Sequence, residues 1–203
     1  MIGFRLGDLK VKATNKNSTV LISSNTTKIA QYKLIKRIYG KYGHFKAKDY
    51  NGVYHVYCNL DKSFNFLINK EDKIPEWILY NKNFFLAFLG GYTDAEGNIG
   101  ISQNRARFRI RTYDKNILFQ VHKNLGKLGI NSKFGIVSRQ GFYGMIRQNK
   151  DCFGVFVNHK EDLLKLLKFL KPYIRHKKRY KDLITAEKNI LERNKKQSTN
   201  FKI

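Results

Sequence analysis

Acid is the scarcest commodity of this sequence. Its 203 residues hold 15 Asp and Glu against 40 Lys and Arg, a formal net charge of +25. A surplus that large exceeds what solubility needs and points to a polyanionic partner, of which nucleic acid is the usual one. Cysteine is nearly absent: Cys58 and Cys152 stand alone in apolar, strand-like contexts and read as buried free thiols in a reducing compartment. The five histidines, at 44, 55, 122, 159 and 176, are scattered with no Cys or His at ligand spacing, so no zinc site is expected. The longest apolar run, 84–92, is too short for a bilayer. No secretory signal precedes the first motif, which leaves an intracellular, non-secreted reading. A phosphate-binding glycine loop with its lysine and a nucleophile elbow are both missing. Proline occurs twice. Pro75 marks a connector over 71–83, and Pro172 precedes a basic cluster at 175–181.

What is present is a repeat. Residues 89–97 read Leu-Gly-Gly-Tyr-Thr-Asp-Ala-Glu-Gly, and a degraded echo 88 residues earlier opens the chain as Met-Ile-Gly-Phe-Arg-Leu-Gly-Asp-Leu. Each copy carries two small residues four apart and then an acid: Gly3, Gly7, Asp8 and Gly91, Ala95, Glu96. Small residues at i and i+4 share a helix face and let two backbones approach closely. Two such helices packed together bring Asp8 and Glu96 out side by side, where they repel unless a proton or a metal intervenes. Element order repeats as well. Strand-like 9–14 and 19–24, a helix at 27–42, strands at 44–50 and 53–60 and a short helix near 63–69 follow the first copy. Strands at 98–103 and 106–112, a helix at 115–128, strands at 133–138, 143–147 and 153–158 and a helix at 161–170 follow the second. Both long helices stop at matched glycines, Gly43 and Gly129. An apolar content of 42% supports a real core. The expectation is a tandem αββαββα unit, with halves at 1–79 and 80–203, Asn83 as N-cap of the second motif helix, and a basic C-terminal helix to about residue 195 ending in a frayed 197–203.

The 89–97 segment resembles the nine-letter motif of the LAGLIDADG homing endonucleases. Leu89, Gly91, Asp94, Ala95 and Gly97 match it, and Glu96 stands for its second aspartate. Residues 1–9 match only at Gly3 and Asp8: Leu9 replaces the last glycine, Leu6 the first acid, and Arg5 occupies a usually apolar position. The resemblance covers nearly the whole chain and is to the single-chain, two-motif branch. It implies a mixed α+β fold of pseudo-twofold symmetry, with the motif helices at the central interface and two antiparallel sheets forming a saddle over DNA. It implies that Asp8 and Glu96 hold divalent metal, Mg²⁺ or Mn²⁺, with Ca²⁺ as a non-cleaving substitute. It also places an active-site lysine at Lys177, with Lys70 or Lys73 in the matching place of the first half.

Such a sparse acid pair suits a hard cation that keeps its waters and needs only one or two carboxylates plus substrate phosphate. Asp94, two residues before Glu96, sits roughly 200° away on a helix and reads as a helix-end hydrogen-bonding group. For DNA contact, Arg105, Arg107, Arg109 and Arg111 alternate with Ala106, Phe108 and Ile110, so a strand points the arginines one way and the apolar side chains into the core. Ser102, Asn104, Lys10, Lys12, Lys46 and Lys48 extend that surface, while Arg175, Lys178 and Arg179 meet backbone phosphate. Phe84, Phe85, Phe88, Phe108, Phe153 and Phe156 are expected in the core. The functional expectation is a monomeric, intron-encoded, site-specific double-strand DNA endonuclease. The rival is a non-catalytic, intron-RNA-binding splicing cofactor, or maturase. No membrane partner is expected.

Overall fold

The computed structural model describes residues 1–14 and 18–200, with side chains to residue 195. The chain is mixed α+β. A short helix α1 (Ile2–Asp8) runs through Leu9 into β1 (Lys10–Thr14) and β2 (Thr19–Thr26), then α2 (Ile29–Tyr39), β3 (Gly43–Tyr50), β4 (Val53–Asp61) and a 3₁₀ turn (Lys62–Leu67). After a small helix α3 (Glu76–Tyr80) the order recurs: α4 (Lys82–Glu96), β5 (Gly97–Ser102), β6 (Arg105–Thr112), α5 (Lys115–Lys127), β7 (Lys133–Ser138), a hairpin of β8 (Gly141–Tyr143) and β9 (Ile146–Gln148), then β10 (Cys152–Val157), α6 (Lys160–Leu170) and α7 (Lys177–Asn200). Two four-stranded antiparallel sheets result, in the orders β1-β2-β4-β3 and β5-β6-β10-β7. The same strand order in both sheets is the structural form of the sequence repeat.

Each sheet covers its own core, as a half-buried sheet must. Val20, Ile22, Val56, Cys58 and Leu60 face α2, whose Leu34, Ile35 and Tyr39 are buried. Phe108, Ile110, Val155 and Val157 face α5 and α6 through Ile117, Leu118, Val121, Leu163 and Leu167. Helices α1 and α4 meet through their small residues. A Cβ on Gly3 would lie 2.1 Å from the Phe88 carbonyl oxygen, and one on Gly7 would lie 2.4 Å from the Ala95 Cβ. No side chain fits there, so the helix axes can be this close only with glycine.

Arg5 explains itself once folded. It is buried, and its guanidinium donates to the carbonyls of Leu67 (2.7 Å), Leu9 (2.7 Å) and Ile68 (3.1 Å). A residue that looked misplaced on an apolar helix face thus staples α1 to the end of the 3₁₀ turn. Arg5→Leu is expected to cost about 3 kcal/mol of unfolding free energy, because three buried carbonyls lose a charged donor. Urea denaturation measures this, and a loss under about 1 kcal/mol would contradict it.

Several expectations shift. Asn81, not Asn83, caps α4: its Oδ1 accepts from the backbone N–H of Asn83 and Phe84. The connector contains α3. The strand expected at 143–147 is broken at Gly144 (φ +63°) into the β8–β9 hairpin. Helix α7 continues to Asn200, past the expected end, and residues 201–203 of the expected frayed tail lie outside the described residues. Phe85, Phe88 and Phe108 are core, whereas Phe84 is exposed and lines a groove of about 720 Å³ with Met1, Ile2, Phe66, Trp77 and Phe88 at the opposite end of α1 from Asp8. Cys58 and Cys152 are free thiols, the first buried and the second half-buried. Among the described residues no helix is long and apolar enough to cross a membrane.

Candidate active site and nucleic-acid face

Both motif acids end their helices. Asp8 closes α1 and Glu96 closes α4, each just before the first strand of its sheet. The close packing of α1 on α4 sets them together: a Cβ on Gly7 would stand 3.1 Å from Glu96 Cγ and 3.3 Å from its Oε1. Burial pushes the Asp8 carboxyl above its ordinary range, opposed by the charges of Lys28, Arg179 and Lys70. Burial likewise lifts Glu96 to about 7, with further upward pressure from Asp8 and Asp114 and opposition from Lys70 and Arg179. Asp8 is oriented by the first half: Gln31 Nε2 donates to its Oδ2 (2.8 Å), and Thr26 Oγ1 donates to Gln31 Oε1 (3.0 Å).

Asp94 faces away from this pair and does the helix-end work its position suggested. Its two oxygens accept the backbone N–H of Arg175 (2.7 Å) and His176 (3.1 Å), just ahead of α7. Burial lifts its carboxyl to about 6 against those two hydrogen bonds and the charges of Arg179 and Arg37. The clamp fixes the first turn of α7. His176 is buried, and its Nδ1 accepts from the Arg179 N–H (3.4 Å). Burial, then Arg179, Lys28 and Lys178, hold its pKa below the ordinary value, so the ring is neutral and free to accept.

The basic residue that the clamp aims at the acids is Arg179. It acts on both Asp8 and Glu96, and its Nε is buried without a hydrogen-bond partner. Lys177, the expected active-site lysine, opens α7 exposed and is not among the charges acting on either acid. Two residues apart on a helix, 177 and 179 point to different sides. In the first half Lys70 acts on both acids, while Lys73 is paired with Glu76 (3.3 Å).

The two sheets carry the basic faces. In β6, Ala106, Phe108 and Ile110 are buried while Arg105, Arg107, Arg109 and Arg111 alternate outward. The neighbouring strands continue that face, with Asn98 opposite Arg109, Ser102 opposite Arg105 and Phe156 opposite Arg109. Asn98 Oδ1 accepts from Arg109 (3.2 Å), and the Arg111 guanidinium lies 5.6 Å over the Phe156 ring. None of the four strands contains an acid. In the first sheet the register sets Lys10 beside Ser23, Tyr57 and Lys46 in one row, and Lys48 beside His55 and Asn25 in the next, with Lys12 beside Leu21. Lys10, Lys12, Lys46 and Lys48 therefore share a face. Asn104 departs from the expected surface. It turns the β5–β6 hairpin at φ +57°, and its Oδ1 accepts from Asn189 of α7 (3.2 Å). Arg175 and Lys178 are exposed, the latter against Asp182 (2.7 Å).

Sequence reading missed Gln31, Lys28 and Asp114 around the acids. The signal was available: the helix-stop glycines repeat at an offset of 86, and the same offset pairs Lys28 with Asp114.

The family model of the LAGLIDADG-like domain matches residues 83–196, and the chain belongs to this family. Among solved structures it resembles the I-SmaMI LAGLIDADG homing endonuclease bound to cleaved DNA, at 14% identity and TM-score 0.60 over 96% of this chain and 89% of that one. It resembles I-GzeII in complex with its DNA target at 11% identity and TM-score 0.61, over 97% and 90% of the two chains. I-DmoI in complex with DNA and Ca gives 15% identity and TM-score 0.56 over 84% and 86%. A search of curated proteins finds no match.

Proposed function

We propose that the protein is a site-specific, double-strand DNA endonuclease of the single-chain, two-motif type. It works as a monomer of two pseudo-equivalent halves, 1–79 and 80–203, encoded within an intron. The observation that carries the reading is the acid pair. Asp8 and Glu96 meet at the ends of two tightly packed helices, each at the entry to a sheet with a basic outer face. The DNA named in the I-SmaMI, I-GzeII and I-DmoI structures supports duplex DNA as substrate, and the Ca in the I-DmoI complex supports a divalent ion.

The donor set fits such an ion. Two hard carboxylates, one lifted to about 7 by burial and by its neighbours, favour a cation between them. Among the described residues no cluster of three or more Asp, Glu, His or Cys forms a closed cage, so phosphate and water complete the coordination. Asp8 and Glu96 hold the ion, Mg²⁺ or Mn²⁺, with Ca²⁺ as a non-cleaving substitute. When bound it neutralises phosphate charge and lowers the pKa of attacking water. Gln31 fixes the Asp8 carboxylate, and Arg179 and Lys70 stabilise charge developing on the scissile phosphate. Arg105, Arg107, Arg109 and Arg111, with Ser102 and Lys10, Lys12, Lys46 and Lys48, engage the duplex. Asp94 is a positioning residue that sets Arg179.

Competition binding tests the substrate class. Labelled random duplex should stay bound in the presence of an equal mass of folded RNA, with affinity falling at least about 10³-fold between 50 and 200 mM salt. Displacement of the duplex by the RNA would favour the splicing-cofactor reading.

A further inference from the structure

The two halves of the acid pair sit in opposite electrostatic surroundings. Thr26 and Thr112 end the second strand of each half and accept the backbone N–H of the residue that caps the next helix: Lys28 N to Thr26 Oγ1 (3.0 Å) and Asp114 N to Thr112 Oγ1 (3.4 Å). The same backbone device thus identifies Lys28 and Asp114 as structural counterparts. One brings a cation to the Asp8 side, the other an anion to the Glu96 side. Three residues into each helix the counterparts are Gln31, which donates to Asp8, and Ile117, which is buried and offers no donor. Asp114 is held in place: the Tyr92 hydroxyl (2.8 Å) and the Thr112 hydroxyl (3.2 Å) both donate to its Oδ2. Tyr92 precedes Glu96 by one helical turn on α4, so its bond to Asp114 keeps that carboxylate alongside the Glu96 end of the helix.

We infer that the half-sites are functionally unequal: the Glu96 side, backed by Asp114, is the stronger divalent-cation site, whereas on the Asp8 side Lys28 takes over part of the phosphate-neutralising work. This rests on the endonuclease reading for its consequence in cleavage, but not for its consequence in ion binding. Asp114 acts through Glu96 as a positioning charge. Its hydrogen bonds to Tyr92 and Thr112 occupy it, and it is not part of any three-ligand cluster among the described residues. Lys28 is exposed and reaches into solvent where substrate phosphate would lie. A duplex bound across both halves is then cut at two unlike centres, and one strand is nicked ahead of the other.

Terbium(III) titration of the full-length protein without DNA tests the ion-binding half, read by luminescence sensitised through nearby Tyr92. Two affinities are expected, the tighter lost in Glu96→Gln and the weaker in Asp8→Asn. Asp114→Asn keeps an oxygen acceptor for Tyr92 and should weaken the tighter site roughly fivefold, the screened loss of one nearby unit charge. Lys28→Asp is the converse. Aspartate is a favourable N-cap residue, so the helix survives, and the Asp8-dependent site should tighten by a similar factor. A gain cannot arise from misfolding. Equal affinities at the two sites, or no response to either substitution, would overturn the inference. With end-labelled duplex, wild-type protein should accumulate one nicked strand, and Asp114→Asn should shrink that lead. If no duplex is cut at all, the endonuclease reading fails while the terbium result still decides the asymmetry.

Discussion

Glu96→Gln is expected to lower duplex cleavage by about 10³-fold while leaving DNA binding intact and making the metal-free protein more stable. The first effect follows from the loss of one of two carboxylates holding the cation, which supplies most of the charge stabilisation at a scissile phosphate. Binding survives because the basic sheet faces, not the acids, attract the duplex, and removing a negative charge beside the phosphates strengthens it in EDTA. The stability effect comes from the cost of ionising Glu96. Burial, Asp8 and Asp114 hold its carboxyl at about 7, above its ordinary 4.5. Between those values the folded protein binds more protons than the unfolded chain, so stability is full at acid pH and falls as pH rises through 7. After allowance for solvent at a half-buried group, the penalty at pH 8 is on the order of 2 kcal/mol, or about 5 °C in melting temperature. Thermal melts from pH 5 to 8 in EDTA should slope downward for the wild type and less so for the variant. A variant that cuts at the wild-type rate would remove Glu96 from the site.

Arg179→Ala should reduce cleavage by about 10²-fold or more, and Lys177→Ala by less than tenfold. Both lie in the first turn of α7, yet only Arg179 is charge-coupled to Asp8 and Glu96, and only its side chain carries a buried, unpartnered nitrogen. An unpartnered buried guanidinium N–H is costly unless an acceptor arrives, and a phosphate oxygen is such an acceptor. Truncating Arg179 removes that donor at the developing charge. Truncating exposed Lys177 removes one remote cation, which shows mainly as weaker binding at raised salt. Single-turnover rates at saturating protein separate the two effects. Equal losses in the rate constant would return Lys177 to the centre.

Much of the fold could be read from the chain because the repeat constrains it twice. The alternation in β6 announced its faces, and the small-residue pattern at Gly3, Gly7, Gly91 and Ala95 announced the helix pair. The acids at positions 8 and 96 were legible for the same reason. What surrounds them was not. Lys28, Gln31, Asp114 and Lys70 reach the acids from segments 14 to 106 residues away in the sequence, through strand register and helix packing that local pattern does not encode. Arg5 read as an anomaly because its three acceptors are carbonyls, which no side-chain pattern reveals. The choice between Lys177 and Arg179 turned on helix phase at the start of α7, set by the Asp94 clamp on Arg175 and His176.

Incubating the protein with a randomised duplex library, with Mg²⁺ and separately with EDTA, and sequencing the ends tests the central claim most directly. The account predicts paired breaks at one long sequence, with a short fixed stagger, present with Mg²⁺ and absent with EDTA. An intact library under both conditions, with the protein shown to be folded and bound to duplex, would contradict it.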